Sequence, residues 1–152
     1  MKRVAYLAAV MLLTAAAAFA QKPAAKQDEA AKTEEAAVRA VVETYLRGLK
    51  HNDVESLKQA FWPEAKLFFV KRDGQLGQLT QTQWLAGFAA SAGKEEQGSL
   101  RITALDITGD AASVKVFEDY PTSVYIDYLS LLKLDGHWKI VNKIYTSHNK
   151  QP

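Results

Sequence analysis

YIDYLSLLKLDGHWKIVNKIY, residues 125–145, is the stretch that decides the fold. Two runs rich in β-branched and aromatic residues flank Asp135-Gly136, the dipeptide that supplies the positive φ angles of a two-residue type I′ turn. With that turn fixed, Leu134 faces His137, Lys133 faces Trp138, Leu131 faces Ile140, Leu129 faces Asn142, Asp127 faces Ile144 and Tyr125 faces Thr146. Alternation then assigns Tyr125, Asp127, Leu129, Leu131, Trp138, Ile140, Asn142, Ile144 and Thr146 to one face. That face is apolar except around Asp127 and Asn142, with Tyr125 and Thr146 close by. The opposite face carries Tyr128, Lys139, Val141, Lys143 and Tyr145, which mixes aromatic bodies with lysine stems. A one-residue slip would exchange the two faces.

Upstream of the ribbon the period of the apolar residues changes twice. Val38, Val41, Val42, Tyr45, Leu46 and Leu49 recur at three and four and predict an amphipathic helix over 34–50. Asn52 or Asp53 caps a second, short helix carrying Val54, Leu57 and Phe61 and ended by Pro63. Leu67 to Val70 reads as a short strand, and Asp73-Gly74 as a turn. Thr80 followed by Gln83 has capping-box spacing, so a third helix carries Trp84, Leu85, Phe88 and Ala92 and stops at Gly93. Beyond it the period is two: Leu100, Ile102 and Ala104, then Leu105 and Ile107 after a slip that predicts a bulge, then Ala112, Val114 and Val116. Helices followed by antiparallel strands predict an α+β domain over 34–148, with a short tail at 149–152.

The N-terminus has the pattern of a secretory signal. Lys2 and Arg3 precede an apolar stretch that ends in Ala18-Phe19-Ala20, an A-x-A cleavage site, so 1–20 is expected to be removed and the protein to be periplasmic or secreted, with no membrane attachment after cleavage. Residues 21–33 are Ala, Lys, Gln, Asp and Glu with few large apolar side chains, and are expected to form a disordered lead-in. Without Lys2 and Arg3 the 19 basic residues become 17, equal to the 17 acidic ones. A neutral chain without a basic stripe argues against nucleic-acid binding. There is no cysteine, so disulfides and zinc thiolates are excluded. His51, His137 and His148 share no metal-ligand spacing, and neither a P-loop, a dinucleotide fingerprint nor a Gly-x-Ser-x-Gly elbow is present, so neither metal nor cofactor is expected.

The order of elements, together with the terminal D-Y-L-x-L-L-K-x-D-G-x-W-K-I-V-N-K segment, resembles the nuclear transport factor 2-like cone fold, and within it the group named Putative lumazine-binding. The resemblance covers about residues 34–148. It implies three N-terminal helices packed on a strongly curved, mostly antiparallel sheet whose concave face encloses a pocket, and a homodimer through the outer face. This chain departs from the pattern at Phe61-Trp62-Pro63-Glu64-Ala65, where histidine is expected in place of Trp62.

Asp127 is the candidate for chemistry, because an apolar surrounding disfavours its charged form and suits it to proton transfer. The alternative is a carboxylate held by Asn142, a tyrosine hydroxyl or a backbone N–H that only fixes the strand. Tyr45, Trp62, Trp84, Phe88, Tyr125 and Asn142 are the candidate pocket residues, since binding sites are mostly apolar with a few placed polar groups. Trp84 and Phe88, four apart, equally suit ordinary packing, and Trp138 covers the stem of Lys133. With no second titratable group evident beside Asp127, the first expectation is a binder of a small, partly apolar molecule. The alternatives are a cofactor-independent lyase or isomerase using Asp127, with Tyr125 and Asn142 orienting the substrate, and a dimeric interaction module with a filled cone.

Overall fold

A computed structural model describes residues 24–151, so the signal at 1–20 lies outside the described residues. The first helix, α1, runs Ala24–His51. It therefore begins ten residues before the predicted start, and the segment expected to be disordered is helical from residue 24. Ala, Lys, Gln and Glu are strong helix formers and Asp28 to Thr33 are exposed, so this extension follows propensity. Further along, Val38, Val42, Tyr45 and Leu49 form the buried stripe. Gly48 lets α1 and α2 (Val54–Ala60) touch, because a Cβ there would lie 2.6 Å from Leu57 Cδ2. Asn52 ends α1 in the left-handed region at φ 49°, and Asp53 caps α2 by accepting from the Glu55 and Ser56 N–H groups.

Strand β1 (Phe61–Val70) starts directly after α2, and β2 (Leu76–Thr80) returns beside it. Local pattern predicts only the end of β1, Leu67 to Val70, and not β2, whose residues mix Leu76 and Leu79 with Gly77, Gln78 and Thr80. Pro63 falls where β1 is out of step with its neighbour, between Phe61 and Lys66, so its missing N–H costs no ladder bond. Thr80 and Gln83 form the expected capping box, but α3 is short, Gln81–Ala86, and a 3-10 turn at Ala89–Ser91 replaces its predicted continuation to Gly93.

The other strands are β3 (Ser99–Thr108), β4 (Ala111–Asp119), β5 (Ser123–Leu134) and β6 (His137–Asn149). All six form one sheet in the order β2-β1-β6-β5-β4-β3, antiparallel except for the β1–β6 pair. The fold is α+β, with the helices on the inner face of the sheet. Val38, Val42, Leu57, Leu85, Val114, Leu129, Leu131, Trp138 and Ile140 meet there as one core. Each such side chain contributes about 1.5–3 kcal/mol by leaving water. Trp138 Nε1 donates to Glu34 Oε2 at 2.8 Å and Lys133 Nζ to Glu34 Oε1 at 2.6 Å, tying α1 to the hairpin. Those bonds, Lys133 first, hold the Glu34 carboxyl below its ordinary range. Among the described residues no helix is long and apolar enough to cross a membrane.

Two bulges decide which side chains face inward. In β3, Thr103 is the extra residue, between the Ile102–Val116 and Ala104–Lys115 pairs, so Leu100, Ile102, Leu105 and Ile107 share a face, and the bulge comes before Ala104 rather than after it and turns Ala104 outward. In the closing hairpin the turn is as read, with Asp135 at φ 49° and Gly136 at φ 80°, and the predicted pairs hold from Leu134–His137 to Leu131–Ile140. Val141 is then left over. Ser130 pairs with Asn142, Leu129 with Lys143, Asp127 with Tyr145 and Tyr125 with Ser147, one residue away from the predicted register. Past that bulge the faces of β6 exchange. Asn142, Ile144 and Thr146 move to the outer face, and Lys143 and Tyr145 move inward.

Candidate acid–base site

The inward exchange of Lys143 builds a cluster no single strand carries. β4 presents Glu118, β5 Asp127, β6 Lys143 and α1 Tyr45, and all four side chains are buried. Lys143 Nζ donates to Asp127 Oδ2 at 2.6 Å and to the Tyr45 hydroxyl oxygen at 2.8 Å. The Tyr45 hydroxyl donates a short hydrogen bond to the same Asp127 oxygen and lies 3.2 Å from Glu118 Oε1. Tyr120 donates to Glu118 Oε2 at 3.1 Å. Asp127 Oδ1 is buried without a hydrogen-bond partner among the described residues.

Two carboxyls and one ammonium in one dry cluster carry an excess negative charge unless a proton is kept. The Glu118 carboxyl keeps it: burial, and then the neighbouring Asp127, push it up to about 8 against the pull of Lys143. At neutral pH it therefore holds a proton it can donate. Because the Tyr45 hydroxyl proton goes to Asp127, the Glu118–Tyr45 contact is made through the proton on Glu118. Burial pushes the Tyr45 phenol well up, with Asp127 and Glu118 adding to it, so Tyr45 stays neutral. Tyr120 is raised for the same first reason, with Glu118 as its strongest charged neighbour.

Glu118 and Lys143 of this cluster form the floor of a cavity of about 700 Å³. Glu118, Lys143, Tyr125 and Tyr145 face it from the sheet, Tyr120 from the loop after β4, Trp84 and Phe88 from α3 and the turn after it, and Leu49 and Asn52 from the end of α1. The Trp84 and Phe88 rings meet edge to face with centroids 5.1 Å apart, and Tyr120 meets Tyr125 the same way at 5.9 Å. Asp127 and Tyr45 are fully buried and stand behind Lys143 and Glu118, outside the cavity lining.

Of the residues singled out from sequence, Trp84, Phe88 and Tyr125 reach this cavity, and Asp127 and Tyr45 lie just beneath it. Two do not. Asn142 is carried to the outer face by the Val141 bulge, where its Nδ2 donates to Lys66 O at 3.4 Å, so it neither holds Asp127 nor orients a ligand beside it. Trp62 is 38% exposed and lines a different cavity of about 630 Å³ around the hairpin turn, because β1 breaks step after Phe61 and turns it away. The expectation that Asp127 has no titratable companion fails as well, since Lys143 and Glu118 both stand beside it. Glu118 was legible: it continues the alternation Ala112, Val114, Val116 that assigns β4 its inner face. Lys143 was signalled only by the adjacent Ile140 and Val141, the same kind of slip as Ala104-Leu105 in β3.

Residues 33–146 match the family described as Putative lumazine-binding. The aldolase FrzH of Cladobotryum sp is 25% identical to this chain over 115 residues, which span 74% of this chain and 90% of that protein. An NTF2-like protein of unknown function from Shewanella baltica OS155 superposes with a TM-score of 0.71 at 27% identity, over 78% of this chain and 96% of its own. Another from Silicibacter pomeroyi DSS-3 gives a TM-score of 0.69 at 26% identity, over 78% and 98%. By the extent of the family match and by its fold, the chain belongs to the Putative lumazine-binding family within the nuclear transport factor 2-like superfamily.

Proposed function

We propose that this protein is a cofactor-independent enzyme of lyase or isomerase type that moves a proton next to the carbonyl group of a small, partly apolar aldehyde or ketone. One observation carries the proposal: Glu118, titrating near 8, and the Lys143 ammonium share the floor of an aromatic-walled cavity. Proton transfer is most effective from a group whose pKa lies close to the working pH. In this reading Lys143 faces the carbonyl oxygen and stabilises the negative charge that develops there, while the ionised form of Glu118 takes the proton from the adjacent carbon. Asp127 and Tyr45 touch no substrate; they position Lys143 from behind. Aromatic walls hold the apolar part of the substrate. The FrzH likeness, to a protein described as an aldolase, supports carbonyl chemistry.

The expectation of a binder without chemistry rested on Asp127 standing alone, which it does not. Binding remains the second reading because the family's description names a flat aromatic heterocycle, and the same walls suit one. Exchange of the α-protons of phenylacetone for deuterium, followed by proton NMR, separates the two. The enzyme reading expects exchange above the buffer rate that rises with pH up to about 8 and falls at least ~100-fold in Glu118→Gln. Lumazine binding with no exchange would favour the binder.

Export to the periplasm and assembly as a homodimer belong to the same proposal. The first is supported by the signal-like residues 1–20, the second by Val70, Leu76, Tyr128 and Ile144, all at least 47% exposed around an apolar groove on the outer sheet face. Cell fractionation and native mass spectrometry test them; a cytoplasmic monomer would contradict both.

A further inference from the structure

Lys143 has more to offer than its charge. An ammonium has three N–H donors. Two are taken, by Asp127 Oδ2 and by Tyr45, both behind it. No third hydrogen-bond acceptor is in reach among the described residues, and Nζ instead lies 4.9 Å from the ring centre of Tyr145 and 5.5 Å from that of Trp84, two walls of the cavity. The third N–H direction is therefore the one open to a molecule in the cavity. Lysines used as nucleophiles share one feature of this setting: a buried side chain at the bottom of a pocket with a group at hand to accept its proton.

Resting on the carbonyl reading above, we infer that Lys143 is a covalent catalytic residue that forms an iminium with the aldehyde or ketone substrate. The step balances without a co-reactant. Nζ passes one proton to Asp127 Oδ2 along their hydrogen bond and attacks the carbonyl carbon with the pair it frees. A second proton leaves nitrogen as the carbinolamine forms, and the former carbonyl oxygen departs as water carrying both. The ammonium's three hydrogens thus become one on the iminium nitrogen and two on water, and the positive charge stays on nitrogen. Asp127 ends as it began, a carboxylate paired with that charge, so the buried ion pair is neutralised only while the proton rests on Asp127 and is restored in the iminium. The iminium then accepts the electron pair released when Glu118 removes the neighbouring proton, and water reverses the linkage at the end.

The test is reductive trapping. The purified protein is incubated with phenylacetone and sodium cyanoborohydride at pH 7, digested, and each lysine's alkylation is measured by mass spectrometry. Lys143 is expected to be modified at least ten times more than the exposed Lys58 and Lys71 despite its burial, and α-proton exchange to be lost in Lys143→Arg, which keeps the charge. Modification of Lys143 no greater than that of Lys58 and Lys71 overturns the iminium, and so does exchange retained in Lys143→Arg. If that variant does not fold, trapping in the unaltered protein decides alone. Exchange in the unaltered protein that depends on Glu118 but yields no Lys143 adduct overturns the iminium and leaves the carbonyl reading standing. Absence of both exchange and adduct overturns both.

Discussion

The two halves of strand β6 share one inner face and do opposite things with it. Before Val141, Trp138 and Ile140 pack against Leu131, Val114 and α1, and the Trp138 indole N–H is given to Glu34 at the rim. After Val141, Lys143 and Tyr145 meet Asp127, Glu118 and Tyr45, and an ion pair replaces hydrocarbon in an equally dry place. A buried pair is costly to desolvate and is often no better for stability than apolar residues of the same size. The difference teaches that the turn end holds the sheet together, whereas the far end gives up packing for a lysine and a protonated carboxyl at a cavity floor. One extra residue is the device that joins them.

The largest effect should come from unbalancing the ionic half. Asp127→Ala leaves the Lys143 charge buried and unpaired, and urea unfolding is expected to show a loss of about 3–5 kcal/mol. Replacing both partners, Asp127→Leu with Lys143→Met, should recover most of that while abolishing exchange. If the double variant is as unstable as the single one, the ion pair supports the fold and the contrast between the halves collapses.

Next is the other half. Trp138→Phe removes a hydrogen bond to a charged acceptor and should cost about 1.5–3 kcal/mol, with the pH profile of exchange unchanged. A shifted profile would mean the halves are coupled.

A third effect is pH dependence. An unfolded Glu118 ionises near 4.5, whereas the folded one holds its proton up to about 8, so between those values the native state binds more protons. The stability that Glu118 contributes is therefore fully present below about 4.5 and is lost as pH rises towards 8, at up to about 1.4 kcal/mol per pH unit. Glu118→Gln should flatten that slope. Activity should move the other way, rising up to about 8 as the carboxylate form accumulates. The smallest effect belongs to Thr80→Ala, which removes the cap of the helix carrying Trp84 and should cost about 1 kcal/mol; an unchanged melting temperature would show that α3 is held by its aromatic contacts alone.

Much of this was written locally in the chain. The Asp135-Gly136 turn, the stripe on α1, the Thr80–Gln83 cap and the slip in β3 each follow from a few neighbouring residues. What escaped depends on contacts distant in sequence. Whether Ile140-Val141 continues a strand or bulges is settled by Lys143 finding Asp127 and Tyr45, and that choice moved Asn142 out of the site. Trp62 is grouped with the pocket residues only by its aromatic type; Phe61, expected on the second helix, instead opens β1, which breaks step after it and turns Trp62 away. Strand β2 carries too few apolar residues to stand out and exists because β1 offers it an edge.

The acid–base site stands most directly on the proton kept by Glu118 beside Lys143. A carbon-13 NMR titration of the Glu118 carboxyl in the folded protein measures it, with Glu118→Gln to assign the resonance. A midpoint near 8, higher still in Lys143→Met, is the result the buried cluster predicts. A midpoint near 4.5 would mean that Glu118 is an ordinary solvated carboxylate, and the acid–base site would be contradicted.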